Sequence, residues 1–137
     1  MADGFSDQVV LVTGGSRGIG RATAVLFGQA GAMVAITYKS RQAEADALVE
    51  ELSHEGHQAM ALQADFADSA APATAVEAVV KQWGRLDVLV NNAGLTRDTL
   101  VMRMSEADWD IVIQTNLKAA FLASKAALRP MLKQKYG

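Results

Sequence analysis

The chain has 137 residues, of which half are hydrophobic and a fifth are charged, and its formal net charge is −2. This balance is typical of one globular domain and excludes disordered, collagen-like and coiled-coil chains. The charge gives no basic patch of the kind that binds nucleic acid or an anionic membrane. The sequence contains no cysteine, which excludes disulfides, thiolate metal sites and cysteine nucleophiles.

The termini and the apolar runs bear on localisation. The first residues carry no basic segment, and no apolar run approaches the roughly 18 residues that a membrane-spanning helix needs. We therefore expect a cytoplasmic protein with no membrane partner and no nucleic-acid partner. No spacing typical of metal ligands occurs, so the sequence predicts no metal site.

Short apolar runs alternate with segments of helical periodicity along the chain. The runs predict four buried strands, at residues 9–12, 33–36, 59–62 and 86–90. The periodic segments predict four helices, at residues 19–30, 41–55, 69–83 and 105–132. Strands alternating with helices of this length favour right-handed crossovers and a parallel sheet. The predicted fold class is therefore α/β, with helices on both faces of the sheet.

Local signals place the ends of these helices. Ser40 and Ser69 are the predicted N-caps of the second and third helices. Ser105 and Asp108 form a capping box at the start of the last helix. Gly137 stands where a C-terminal cap would end that helix.

A glycine-rich segment, residues 13–20, lies between the first strand and the first helix. Gly14 can turn the chain off the strand, Gly18 allows backbone N–H groups to approach a pyrophosphate, and Gly20 lets the helix pack close to the sheet. The N-terminus of the helix directs unpaired donors and a partial positive charge at such an anion. The segment therefore predicts a dinucleotide site, and the alternative is a tight turn without a ligand.

The residues after the second strand favour NADP over NAD. An NAD site usually has Asp or Glu about 20 residues after the glycines, where this chain has Tyr38, Lys39 and Ser40. A basic neighbourhood attracts the 2′-phosphate of NADP, whereas a carboxylate would repel it. Arg17 in the loop, with Lys39 or Arg41, supplies this charge. The alternative is that Lys39 and Arg41 are solvated surface charges.

Three motifs occur together in one order: the glycine-rich loop, Asn91-Asn92-Ala93-Gly94 after the fourth strand, and Asn116 in the long helix. In this combination the chain resembles the short-chain dehydrogenases/reductases. Residues 94–104 are similar to the subfamily of 3-oxoacyl-[acyl-carrier-protein] reductases and to their acetoacetyl-CoA reductase relatives. The resemblance implies a Rossmann-type doubly wound sheet of strand order 3-2-1-4. Residues 1–137 would be its NADP-binding N-terminal portion, a single incomplete domain truncated after the fourth strand and the long helix.

The resemblance also implies roles for individual residues. The implied cofactor-binding residues are Gly14, Ser16, Arg17, Gly18, Ile19, Gly20, Lys39, Asp65, Asn91, Ala93 and Gly94. Among these, Asp65 resembles the acid that binds the adenine amino group, and the alternative is a turn-forming aspartate. The implied catalytic residue is Asn116, which in the family bends the helix and anchors a water of the proton relay. An Asn inside a helix is otherwise mildly unfavourable.

The family's proton-transfer residues are not found in these 137 residues. The family uses a Tyr-x-x-x-Lys segment, with Tyr and Lys on adjacent helical turns, together with a Ser. Here Tyr38 is followed four places later by Gln42, and only Gly137 follows Tyr136. Loss of a positioned acid typically costs about 10²–10⁴ in rate. We therefore expect the chain alone to be inactive, with a 3-oxoacyl thioester as the substrate of a complete enzyme only.

The resemblance further implies that the strand at residues 86–90 lies at an open edge, because the family's sheet continues beyond it. We expect a homo-oligomer that forms through the long helix, residues 105–136, or through this edge. The alternative is a compact monomer. Two functions stay open: the NADPH-binding part of a 3-oxoacyl reductase, and a non-catalytic half-Rossmann module that binds a nucleotide or only assembles.

Overall fold

The computed structural model describes residues 4–137 and consists of alternating strands and helices. The strands are β1 (Val9–Val12), β2 (Met33–Tyr38), β3 (Ala59–Gln63) and β4 (Val88–Val90). The α-helices are α1 (Gly18–Gln29), α2 (Gln42–His54), α3 (Ala71–Trp83), α4 (Glu106–Val112) and α5 (Ala119–Gln134). A 3-10 turn covers Val101–Arg103, and a π-turn, Ile113–Lys118, joins α4 to α5. Within residues 4–137, no helix is both long enough and apolar enough to cross a membrane.

The four strands form one parallel sheet of order β3-β2-β1-β4. In the register of the sheet, Leu11 of β1 lies between Ala35 of β2 and Leu89 of β4. All four residues of β1 are fully buried, as expected of a central strand that is covered on both faces. The predicted fold class and strand order are confirmed.

Two hydrophobic cores cover the two faces of this sheet. Alternate side chains of a strand point to opposite faces, and β1 accordingly contributes to both cores. Val10 and Val12 pack with side chains of α1 and α2, including Ala24 and Leu48. The opposite core is formed by Val9, Leu11, Ala35, Val76, Val79, Leu86 and Ala127, from the sheet, α3 and α5. The sheet is therefore doubly wound, with α1 and α2 on one face and α3 and α5 on the other.

Two predicted helix caps are wrong. Arg41 is the N-cap of α2 in place of Ser40, and no side-chain hydrogen bond caps that end. Ala70 is the N-cap of α3 in place of Ser69. The N–H of Ala70 donates to Oδ1 of Asp68 at 2.9 Å. The aspartate thus forms a local turn two residues ahead of the helix, and the chain enters α3 one residue later than the serine predicts.

The predicted last helix is interrupted by the π-turn. Its start is confirmed, because the N–H of Asp108 donates to Oγ of Ser105 at 3.0 Å and caps α4. Its predicted end is wrong, since Lys135 adopts the left-handed conformation at the C-cap of α5 (φ 57°) and Gly137 lies beyond it. A long side chain therefore occupies a position that glycine usually takes.

The amino end of β4 is tied to the end of α5, and the amino end of β1 is tied to Asp87. Oε1 of Gln134 accepts a hydrogen bond from the N–H of Leu86 at 2.9 Å, and Nε2 of Gln134 donates to the carbonyl of Leu86 at 2.9 Å. The ladder of β4 accordingly begins at Val88, later than predicted. The fully buried carboxylate of Asp87 accepts from the N–H of Val9 at 2.8 Å. This carboxylate also bonds the guanidinium of Arg85 and raises the pKa of that group.

Candidate functional site

A cleft of ≈ 600 Å³ opens at the carboxyl ends of the strands. Its walls come from the loops that follow all four strands: Gly14, Ser16, Arg17 and Gly18, residues 37–41, residues 64–66, residues 92–95, and also Arg97 and Thr115. In open parallel sheets, ligands bind outside the carboxyl ends of the strands, where the strand order reverses. That reversal lies between β1 and β4 here, so the cleft is in the position expected of a ligand site.

The glycine-rich loop leaves the N-terminus of α1 open toward this cleft. Gly18 has a positive φ of 57°, and a Cβ added there would meet no atom within 4 Å. Gly14 also has a positive φ of 65°, and a Cβ there would lie 2.9 Å from Cα of Ala93. Arg17 is the N-cap of α1, and its side chain forms no capping hydrogen bond. The first N–H groups of α1 are therefore available to an anion.

The structure brings most of the predicted cofactor-binding residues to the cleft, but not all of them. Gly14, Ser16, Arg17, Gly18, Lys39, Asp65, Ala93 and Gly94 line it, whereas Ile19, Gly20 and Asn91 do not. Ile19 is largely exposed. Gly20 is a packing residue, because a Cβ there would lie 2.4 Å from Nδ2 of Asn92 and from the carbonyl oxygen of Gly14.

Thr13 joins the loop after β1 to the loop after β4. Its buried Oγ1 accepts hydrogen bonds from the N–H groups of Asn92 at 3.0 Å and Ala93 at 2.9 Å. The same hydroxyl donates to the carbonyl of Val90 at 3.3 Å. In return, Nδ2 of Asn92 donates to the carbonyls of Thr13 at 3.1 Å and Gly14 at 3.0 Å. The two loops are thus fixed to each other within the chain itself.

The glycine-rich loop is also fixed to β2. The N–H of Gly14 donates to Oγ1 of Thr37 at 3.0 Å, and the N–H of Gly15 donates to the carbonyl of Thr37 at 3.0 Å. The sequence interpretation included Thr13 and Asn92 in its motifs without naming them as individual site residues, and it missed Thr37. The available signal was a threonine at or next to the carboxyl ends of β1 and β2.

The charged residues around the cleft differ in how far they are neutralised. Nζ of Lys39 lies 3.9 Å from Oδ2 of Asp65, and the guanidinium of Arg41 is paired with Glu44 at 2.8 Å. Arg17 forms no ion pair within residues 4–137. The guanidinium of Arg17 is therefore the most available cation at the mouth of the cleft.

Asp65 has the turn-forming contact that was considered as an alternative. Its Oδ1 accepts from the N–H of Ala67 at 3.0 Å, while its side chain stays half exposed at the cleft. The turn contact uses one oxygen only, so the second can still accept a hydrogen bond from a ligand. Among the side chains of residues 4–137, no group of three His, Asp or Glu converges as metal ligands.

Asn116 lies in the π-turn and holds the loop after β4. Its Oδ1 accepts from the N–H of Leu95 at 2.8 Å, and its Nδ2 donates to the carbonyl of Leu95 at 2.9 Å. A Cβ at Gly94 would lie 3.1 Å from Oδ1 of Asn116, so a side chain there would require the amide of Asn116 to shift by a few tenths of an ångström. Asn91 lies outside the cleft, where its Nδ2 donates to Oγ of Ser124 at 3.1 Å and ties β4 to α5.

Comparison with known proteins decides the family. Residues 8–137 match the short chain dehydrogenase family. The chain belongs to this family. Two curated short-chain dehydrogenase relatives are named 3-oxoacyl-[acyl-carrier-protein] reductase. FabG of Staphylococcus aureus is 48% identical over 127 residues, which are 93% of this chain and 52% of that protein. The protein of Synechocystis is 46% identical over 130 residues, 95% of this chain and 53% of that protein. The chain thus spans about half the length of the curated relatives it matches.

Solved short-chain dehydrogenases have the same fold. A short chain dehydrogenase from Burkholderia cenocepacia, solved in complex with NADP, matches with a TM-score of 0.90 and 42% identity, over 92% of this chain and 51% of that chain. A metagenomic short-chain oxidoreductase, also solved in complex with NADP, matches with a TM-score of 0.91 and 38% identity, over 97% of this chain and 60% of that chain. The family and the Rossmann-type architecture are therefore established.

The junction at Thr13 gives a test of how the site is built. Thr13→Val is expected to lower the free energy of unfolding by about 2–4 kcal/mol, because two buried N–H groups lose their acceptor. Thr13→Ser keeps the hydroxyl and is expected to stay within about 1 kcal/mol of the wild type. Urea denaturation of the three proteins measures this difference. A loss below about 1 kcal/mol in the valine variant would show that the junction contributes little.

Proposed function

We propose that residues 1–137 form the NADPH-binding part of a 3-oxoacyl reductase. The complete enzyme would transfer hydride to the keto carbonyl of a 3-oxoacyl thioester during fatty-acid synthesis. The observation that carries this proposal is the open N-terminus of α1 in one cleft with the guanidinium of Arg17, which forms no ion pair within residues 4–137. The 48% identity to the FabG protein of Staphylococcus aureus supports the substrate class.

The pyrophosphate of the cofactor would bind at the N-terminus of α1. Gly18 leaves open space there, and the first N–H groups of the helix supply donors and a partial positive charge. The bonds of Thr37 and Asn92 to the loop hold these donors in place before binding. Little of the binding free energy is then lost to ordering the loop.

The 2′-phosphate would be bound by Arg17, with Lys39 nearby. A guanidinium can form two parallel hydrogen bonds with a phosphate, and no carboxylate within residues 4–137 competes for that of Arg17. The sequence places Lys39, and not an acid, directly after β2, where NAD-specific enzymes have an acid. Asp65 would bind the adenine amino group through Oδ2, since only Oδ1 is engaged in its turn.

The bound cofactor would supply the hydride, and the alkoxide that develops on the substrate must then receive a proton. Asn116 would serve this step as a positioning residue, because its side chain holds the backbone of Leu95 beside the cleft. The 137 residues contain no Tyr-x-x-x-Lys segment, so they offer no tyrosine of the kind the family uses as the acid. We propose that this polypeptide alone binds the cofactor without turning over substrate.

The first test concerns the 2′-phosphate. Arg17→Ala is expected to weaken the binding of adenosine 2′,5′-bisphosphate by about 10- to 100-fold, because the 2′-phosphate loses a charge-assisted hydrogen-bonded partner. Binding of adenosine 5′-monophosphate should change little. Isothermal titration of both nucleotides measures the effect, and Arg103→Ala serves as the matched control because Arg103 lies outside the cleft. Equal affinity of the wild type for the two nucleotides would reject the assignment to NADP.

The second test concerns turnover. The 137-residue polypeptide, incubated with NADPH and acetoacetyl thioesters of the carrier protein and of coenzyme A, is expected to oxidise NADPH at least about 10²-fold more slowly than a full-length relative. Absorbance at the nicotinamide band measures the rate. Turnover near that of the relative would contradict the proposal and would require an acid that the family does not use.

We further propose that the chain forms a homo-oligomer through α5. Four apolar side chains recur at helical spacing along this helix and the preceding π-turn, and each is more than half exposed: Leu117, Phe121, Leu128 and Leu132. Such a stripe on a helix is typical of an interface. The edge of β4 is the second candidate, since its backbone groups have a neighbouring strand, β1, on one side only within residues 4–137.

Sedimentation of charge variants separates these two surfaces. Phe121→Glu places a carboxylate within the apolar stripe and is expected to convert the oligomer to a monomer. Lys133→Glu is the matched control and should leave the assembly intact. Lys133 is on the same helix but lines the groove between α5 and α3. An oligomer that survives Phe121→Glu would assign the interface to β4, and a monomeric wild type would contradict both.

A further inference from the structure

Thr115 carries a buried hydroxyl without a partner. The residue belongs to the π-turn, forms part of the cleft wall and is only 8% exposed. Its Oγ1 has no hydrogen-bond partner among the atoms of residues 4–137 and is closed to solvent. Buried hydroxyls are nearly always hydrogen-bonded, and leaving one unpaired is unfavourable.

Two other helical threonines show what is different at this position. Oγ1 of Thr23 donates to the carbonyl of Ile19 at 2.7 Å, and Oγ1 of Thr74 donates to the carbonyl of Ala70 at 3.0 Å. Both bonds reach back four residues, as threonines in α-helices commonly do. In a π-turn the backbone bonds span five residues, and the hydroxyl of Thr115 makes no such bond. The π-turn thus leaves this hydroxyl available for another partner.

The position of Thr115 suggests that partner. The cleft that it lines also contains Arg17, Lys39 and Asp65, which are the residues expected to meet the adenosine part of the cofactor. The loop after β4 is hydrogen-bonded through Leu95 to Asn116, the residue that follows Thr115. The threonine side chain has three staggered χ1 rotamers, and each of them places the hydroxyl in a different position. A change of χ1 can therefore redirect the hydroxyl of Thr115 without any movement of the backbone.

We infer that Thr115 is a binding residue whose hydroxyl forms a hydrogen bond with the adenosine part of the bound dinucleotide. This inference rests on the proposed function and adds to it a contact from the π-turn. It has a consequence that a purely structural hydroxyl would not have. Within residues 4–137 the hydroxyl has no partner that stabilises the free protein. Removing it should therefore weaken the complex without lowering the stability of the free protein.

The test uses the 137-residue chain and adenosine 2′,5′-bisphosphate as the probe. Thr115→Val removes the hydroxyl and keeps the shape of the side chain. We expect the Tm of the free protein to be no lower than that of the wild type, and the Kd of the bisphosphate to rise roughly 3- to 10-fold. Thr115→Ser keeps the hydroxyl and should bind within about twofold of the wild type. Thr74→Val is the matched control, because it removes a hydroxyl that is bonded to its own helix, and it should leave Kd unchanged.

The outcomes are separable. A Kd that is equal for the wild type and Thr115→Val would overturn this inference while leaving the proposed function in place. A lower Tm for Thr115→Val would also overturn it, because the hydroxyl would then have a stabilising partner within the free protein. A wild type that does not bind the bisphosphate would overturn the proposed function and this inference together.

Discussion

The site depends on the hydrogen bonds between the end of β1 and the end of β4. A parallel sheet brings the carboxyl ends of its strands to one edge, but it does not fix the loops that leave them. Here the hydroxyl of Thr13 accepts hydrogen bonds from two backbone N–H groups of the loop after β4. The side-chain amide of Asn92 donates two hydrogen bonds to carbonyls of the loop after β1. Because these contacts are internal to the chain, they hold the glycine-rich loop in front of α1 without the help of a ligand.

Glycine has two separate uses in this arrangement. At Gly20 the side chain is absent because α1 packs directly on the carbonyl of Gly14 and on the amide of Asn92. At Gly18 no atom lies where a side chain would be, so the space belongs to whatever approaches the helix. Gly20 thus allows the helix to pack close to the sheet, whereas Gly18 leaves open space at the N-terminus of the helix. A sequence pattern of spaced glycines does not separate these two roles, since both positions carry the same residue.

Much of the fold is predictable from the sequence because burial on two faces leaves a strong pattern. The run of residues 9–12 is apolar throughout, and helical periodicity follows it, so strand type and order could be predicted. The family motifs also pointed to most of the residues that line the cleft. Details that depend on competition between neighbouring polar groups were not predictable. Ser69 has the side chain of an N-cap, yet Asp68 makes the local turn and the helix starts later. The roles of Thr13 and Thr37 depend on contacts between segments far apart in the chain.

The helical segment formed by the π-turn and α5 is hydrogen-bonded to the loops of β4 at both of its ends, and this limits how it can move. At one end Gln134 forms a pair of amide hydrogen bonds with the backbone of Leu86, and at the other Asn116 does the same with Leu95. A segment held at both ends cannot slide along the sheet as a rigid rod. The first anchor, Asn116, belongs to the π-turn itself, where backbone hydrogen bonds span five residues and not four. A shift of the loop at Leu95 would therefore be transmitted first to the π-turn, while Gln134 keeps the far end of α5 in register with the strands.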